Sequence, residues 1–161
     1  RRTELRQPLG RARRRRLCVA PGGERGGEVL RQRAELGVLA QRGGKLVAVF
    51  GAGGDRDPAK RPVMGAVVAR LTDRALVTSD NPRSEDPQKI IAQIQAGMDK
   101  AEEAQADRAK AIASAIAQAN DADVILVAGK GHENYQEIAG RRLPFSDAAM
   151  AREALAARRR K

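Results

Sequence analysis

The sequence predicts an α/β protein built on a doubly wound, mostly parallel sheet with helices on both faces and a short antiparallel hairpin. Three observations carry that expectation. The runs Leu46–Phe50, Ala75–Val77 and Val124–Ala128 are almost continuously apolar, as strands covered on both faces must be. Segments of helical period lie between and after them. Each run then opens into a loop dense in glycine or charge, at the sheet edge where open α/β folds hold ligands.

Composition bounds the function. With 161 residues, 42% hydrophobic and 32% charged, the chain is expected to build one ordinary core. No apolar run approaches the roughly 20 residues needed to span a bilayer, and the start lacks the apolar core of a signal peptide. A cytoplasmic protein without membrane partners is expected. Cys18 is the only cysteine, so no disulfide or cysteine-based metal site can form within one chain. The net charge of +11 favours nucleic acid at first sight. It is concentrated, however, in residues 1–44, with twelve Arg against four Glu, while residues 45–161 carry nineteen Lys and Arg against sixteen Asp and Glu. Phe50, Tyr135 and Phe145 are the only aromatics, too few for a base-stacking platform. A basic nucleic-acid-binding module driven by the Arg-rich arm is the rival to a small-molecule site, and no specific nucleic-acid partner is expected.

Residues 1–30 read as an Arg-rich, low-complexity segment, disordered or aberrant, set apart from a domain over 31–161. Across that boundary, Glu28 to Gln41 has a helical pattern closed by Gly43-Gly44. A strand over 45–50 runs into Gly51-Ala52-Gly53-Gly54-Asp55-Arg56-Asp57, whose glycines permit close backbone approach; the spacing lacks the third glycine of a dinucleotide fingerprint. Pro62 suits a first helical turn, with Val63, Val67, Val68 and Leu71 as the apolar face to about Thr72. A second strand, Ala75 to Ser79, precedes a helix from Pro87 to Met98 with Ile90, Ile91, Ile94 and Met98 on one side. After a polar connection comes a helix from Asp107 to Ala119, with Ile112 and Ile116 four apart. A third strand over 123–128 ends in Gly129-Lys130-Gly131-His132-Glu133, which lacks the spacing and the Ser/Thr of a phosphate loop. His132 is assigned to loop packing or a phosphate contact. Tyr135 to Ile138 and Arg142 to Phe145 form a hairpin, and Ser146-Asp147 cap a last helix to about Ala157.

Among the loops, Thr78 to Arg83 (TSDNPR) carries the most chemistry. Asp80 offers an acceptor to an ammonium group and Arg83 a planar fork to a carboxylate, while Pro82 fixes the backbone between them. Such a pair suits a zwitterion such as an amino acid. The competing reading makes Asp80 or Ser84 a helix cap and leaves Arg83 solvated. In a parallel sheet all three loops lie along one edge, so Arg56, Asp80, Arg83 and Glu133 are expected to converge, on a ligand or on one another as a self-neutralising network.

Four stretches, GAGGDRDPAKRPVMG (51–65), TSDNPRSEDP (78–87), VAGKGHENYQ (127–136) and PFSD (144–147), resemble the carboxy-terminal domain of the MurE-type Mur ligases over about residues 43–157. The resemblance implies a Rossmann-like domain that binds the incoming amino acid, with contacts from Arg56, Asp80, Asn81, Pro82, Arg83, Gly129 and Glu133 and no catalytic or metal-binding residue. It implies the ATP- and Mg²⁺-dependent addition of meso-diaminopimelate to UDP-N-acetylmuramoyl-L-alanyl-D-glutamate in peptidoglycan biosynthesis, the DNPR sequence favouring diaminopimelate over L-lysine. A related Mur-type ligase using another amino acid is the nearer alternative. The family's nucleotide-binding and uridine-binding domains have no counterpart in the sequence, so the chain is expected to be inactive alone and to hold neither ATP nor Mg²⁺. Residues 1–30 do not match the family's strand and motif before the Gly-Gly-Lys segment. An out-of-frame origin is inferred for them, and a sheet one strand short, exposing an unpaired edge prone to self-association.

Overall fold

The computed structural model describes residues 16–19, 43–99, 103–131 and 133–159. The helix expected over 28–41 and most of the Arg-rich segment lie outside the described residues. Five parallel strands form one sheet in the order β1-β5-β2-β3-β4: β1 (Arg16–Val19), β2 (Leu46–Phe50), β3 (Arg74–Thr78), β4 (Glu103–Gln105) and β5 (Val124–Val127). The helices are α1 (Lys60–Leu71), α2 (Pro87–Gln95), α3 (Arg108–Gln118) and α4 (Asp147–Arg159). A separate antiparallel ribbon pairs β6 (Tyr135–Ile138) with β7 (Arg141–Pro144).

Alternation along the central strands divides the core into two layers, as period-two side chains require. Val47, Val49, Leu76, Ile125 and Val127 pack with Ala111, Ile112, Ala115 and Ile116 of α3 and Ala151 of α4. Ala48, Phe50, Ala75 and Val77 face the other way, onto Ile90, Ile91 and Ile94 of α2 and Val68 of α1. The doubly wound sheet predicted from the three apolar runs is therefore the observed one. Its register pairs Phe50 with Val77 and Val49 with Val127, which brings the carboxyl ends of β2, β3 and β5 level along one edge.

Three expectations and one competing reading are corrected. The sheet is not a strand short: β1, from within the Arg-rich segment, pairs Arg16 with Val124 through Val19 with Val127 and covers the free side of β5. The polar connection before α3 contains β4, whose alternation is hidden because it is a three-residue edge strand with Glu103 and Ala104 exposed. The cap of α2 is neither Asp80 nor Ser84 but Asp86, whose carboxylate accepts from Gln88 N at 2.9 Å ahead of Pro87. On α1 the buried residues are Arg61 and Gly65, while Val63 is 62% exposed. Two local facts rotate that helix: Arg61 is drawn inward by Glu85 and Gln93, and Gly65 lets α1 cross α2 closely.

That crossing gives a test in which two effects oppose each other. Alanine at position 65 gains about 1 kcal/mol of helix propensity, but its Cβ would sit 2.1 Å from the Ile94 carbonyl oxygen. Overpacking typically costs about 1–3 kcal/mol, and here the obstacle is backbone. Gly65→Ala should therefore lower the urea midpoint; a midpoint at or above the parent's would show that the helices separate freely.

Candidate functional site

Three loops meet at the carboxyl edge of the sheet, and glycines let them do so. The loop after β2 presses on the turn after β3: a Cβ on Gly51 would lie 2.1 Å from Thr78 O, and one on Gly54 would lie 1.9 Å from Pro82 O. Gly54 N donates to Asn81 O at 2.8 Å. The glycine loop that looked shaped for a ligand is thus shaped first for the Asp80–Arg83 turn. In the loop after β5, Gly129 takes φ +125° beside the Asp80 carboxylate, where a Cβ would approach Asp80 Oδ2 to 3.3 Å.

At the centre lies Lys130, whose side chain is wholly buried. Its Nζ donates to Asn81 Oδ1 at 2.6 Å and to the Tyr135 carbonyl at 2.8 Å. It also lies 3.3 Å from Asp80 Oδ1 and 3.8 Å from Glu133 Oε2. Asn81 Oδ1 accepts a second bond from Glu137 N, so its Nδ2 turns to Glu133 and donates to Oε2 at 2.8 Å. Asp80, Asn81, Gly129 and Glu133 are therefore brought together. Burial raises the Asp80 carboxyl above its ordinary range, opposed by the charges of Arg108 and Lys130. Its Oδ1 is buried and accepts no hydrogen bond, the Lys130 contact being an ion pair without hydrogen-bond alignment.

The two arginines predicted to join this group stand apart from it. Arg83 adopts φ +53°. Backbone bonds to β6 and the turn after it hold it there, from Arg83 N to Glu137 O at 3.0 Å and from Ala139 N to Arg83 O at 2.7 Å. Its guanidinium donates to Gly54 O and lies 3.9 Å from Glu137 Oε2, which is equally 3.9 Å from Arg142 Nε. Arg56 is exposed, with its stem near Gly53 and no partner among the described residues. Pro82 is buried, its carbonyl against Gly54 and accepting from Glu85 N. His132 lies outside the described residues.

Two further arginines frame the edge. Arg108, fully buried at the start of α3, grips Asp147 with Nε and Nη2, each at 2.8 Å. It also donates to Ser79 O at 3.3 Å and Ala128 O at 2.9 Å. Asp147, expected to help cap α4, is instead its first residue and the partner of that guanidinium. Arg61 forks onto both Glu85 oxygens at 2.7 and 2.8 Å and reaches Gly53 O. The Arg61 bond and the Asp55 amide hold the Glu85 carboxyl down at about 2, and the same pairing raises the Arg61 pKa.

Sequence reasoning missed Lys130, Arg108, Gln136 and Glu137. Lys130 was weighed only as a phosphate-loop lysine, yet a lone lysine between two glycines at a strand end, beside acidic residues, was a signal that it could turn inward. Gln136, whose amide bonds Asp80 O at 2.7 Å and Ser79 Oγ at 3.0 Å, carries no such signal.

Fold and site together define a doubly wound α/β domain with a cluster of charged side chains at the carboxyl edge of its sheet. Residues 11–131 match the family described as Mur ligase, glutamate ligase domain, and the chain belongs to that family. It is 60% identical over 123 residues to the UDP-N-acetylmuramoyl-L-alanyl-D-glutamate--2,6-diaminopimelate ligase of Acidovorax sp. (strain JS42), covering 75% of this chain and 25% of the relative. It is 58% identical over 125 residues to the ligase of the same name from Chromobacterium violaceum, covering 77% and 25%. A solved structure of a ligase so named superposes with a TM-score of 0.84 at 35% identity, over 99% of this chain and 32% of the other. The chain thus spans about a quarter of the length of these curated relatives.

Two measurements test the frame of the site. Arg108→Met strands the Asp147 carboxylate in the interior and should cost about 3–5 kcal/mol in urea unfolding. Adding Asp147→Leu should recover part of that, but not the two carbonyls Arg108 also serves; full recovery would show those bonds to be idle. For Glu85, the folded pKa of about 2 lies below the unfolded 4.5. Its stabilisation is therefore complete above 4.5 and lost as pH falls through about 2. The difference in stability between the parent and Glu85→Gln should shrink across that window, whereas a constant difference would mean that the pairing with Arg61 contributes nothing.

Proposed function

We propose that these residues form the amino-acid-binding, carboxy-terminal part of a cytoplasmic, ATP-dependent amide ligase that adds meso-diaminopimelate to UDP-N-acetylmuramoyl-L-alanyl-D-glutamate in peptidoglycan biosynthesis. The observation that carries this reading is the pairing of opposite charges at one edge. The carboxylates of Asp80 and Glu133 sit around Lys130 and Asn81, and the Arg83 guanidinium is mounted on the same turn as Asp80. Diaminopimelate is a zwitterion at both ends, so it needs acceptors for ammonium groups and a donor fork for a carboxylate. The names of the relatives from Acidovorax and Chromobacterium violaceum support the same substrate. Among the described residues no helix is long and apolar enough to cross a membrane.

In this reading Asp80 and Glu133 hold an ammonium group, with the backbone of Gly129 beside them. Arg83 takes the distal carboxylate bidentately, exchanging its contacts with Gly54 O and Glu137 for a ligand of better geometry. Asn81 keeps Glu133 in place, Pro82 fixes the turn, and Arg56 adds positive charge from the glycine loop. The contribution to catalysis is positional: the chain presents an amine in a fixed orientation to its acyl partner. ATP and Mg²⁺ belong elsewhere in the complete enzyme. The described loops do not fit them, because Lys130, the lysine that could have met a phosphate, is consumed by Asn81 Oδ1, the Tyr135 carbonyl and two carboxylates.

L-Lysine lacks the distal carboxylate and would leave Arg83 without its ligand. Arg83→Ala should therefore weaken diaminopimelate binding by about 2–5 kcal/mol, the scale for removing one side of a desolvated charge pair. Lysine binding should change much less. Calorimetry with both amino acids, on this chain and on a full-length relative carrying the same turn, checks it: equal losses, or none for diaminopimelate, would remove Arg83 from the site.

A further inference from the structure

We infer that Lys130 is a positioning residue for the ligand's ammonium group: bonded to Asn81 and the Tyr135 carbonyl, it holds the Asp80 and Glu133 carboxylates at a set separation and leaves the cluster one negative charge in excess. The inference rests on the proposed amino-acid site and assigns within it a residue that does not touch the ligand.

The geometry excludes a mere filler. A buried ammonium is costly to desolvate, and an apolar side chain would fill the same space more cheaply unless the charge is used. Two of the three Nζ protons are spent on Asn81 Oδ1 and Tyr135 O. The third faces Asp80 Oδ1 at 3.3 Å and Glu133 Oε2 at 3.8 Å, too loosely to satisfy either. Because Asn81 Oδ1 accepts from both Lys130 and Glu137 N, its amide can point only one way, with Nδ2 on Glu133. Lys130 therefore orients Glu133 through Asn81 and Asp80 through charge. Arg108 also faces Asp80, but its own charge is matched by the bidentate Asp147. Two carboxylates against one ammonium leave a single negative charge, and Asp80 Oδ1 remains buried with no well-aligned donor. One cationic donor completes the cluster, and the ammonium of an amino acid supplies it.

The test uses the full chain and Lys130→Met, a swap of similar shape without charge. In the ligand-free protein, ¹³C-carboxyl NMR should show Asp80 titrating at higher pH in the variant, since only Arg108 then opposes burial and Glu133. Calorimetry with meso-diaminopimelate should show affinity reduced at least about tenfold near neutral pH. The deficit should narrow as pH rises through the Asp80 midpoint measured for the variant. A packing role would give the same loss at every pH and no change in the Asp80 titration, and that result overturns the inference. If the variant does not fold, the wild-type Lys130 Nζ resonance decides: it should move with the Asp80 midpoint, and indifference to that titration counts against the assignment. A wild-type chain that binds no diaminopimelate would defeat the proposed function, while the ligand-free Asp80 measurement would still judge Lys130.

Discussion

One buried guanidinium sets the geometry on which the site rests. Arg108 ties the start of α3 to the start of α4 through Asp147, and ties both to the strand ends through Ser79 O and Ala128 O. Ser79 and Ala128 immediately precede Asp80 and Gly129 in the chain, so the planar fork fixes the distance from which the two loops depart. A lysine could not do this, because a point charge on a flexible stem has no fixed angles between its donors. The desolvation of so buried a charge is offset only because it is met by two carboxylate oxygens and two carbonyls at once.

Above that brace, charge is arranged in pairs that differ in how complete they are. Arg108 with Asp147 is closed, and Arg61 with Glu85 is closed and partly solvated. Lys130 with Asp80 and Glu133 is not closed, since the anions outnumber the cation. Arg83 with Glu137 is loose, at 3.9 Å, and Glu137 is shared with Arg142. Closed pairs hold the scaffold. The open ones lie where a ligand of mixed charge would complete them.

The sequence revealed elements better than contacts. Leu46–Phe50, Ala75–Val77 and Val124–Val127 declared themselves because a strand buried on both faces has no polar alternation to confuse it. β4 did not, being a short polar edge, and β1 did not, because Arg16–Val19 lies beside an Arg run whose composition masks any period. Asp80 and Glu133 could be placed at one edge from topology alone. That they share Lys130 could not, since which way a lysine turns is decided by the carbonyl of Tyr135 and the amide of Asn81, partners distant in sequence or hidden in the backbone. The same holds for Arg83: its charge was evident, but its left-handed backbone and its pairing with β6 are tertiary facts.

That last pairing makes the turn less portable than a four-residue motif suggests. The segment from Asp80 to Arg83 is tied to the β6 hairpin by one backbone bridge, at Arg83, and by side-chain bonds at Asp80 and Asn81. Gln136 bonds Asp80 O, Glu137 N bonds Asn81 Oδ1, and the Arg83 peptide is bonded on both sides, to Glu137 O and Ala139 N. The conformation of the turn is thus written half in its own residues and half in a hairpin more than fifty positions away. Grafting Asp-Asn-Pro-Arg onto a relative with a different hairpin would transfer the side chains without the backbone that aims them. Any redesign of the turn therefore has to alter two distant stretches in step.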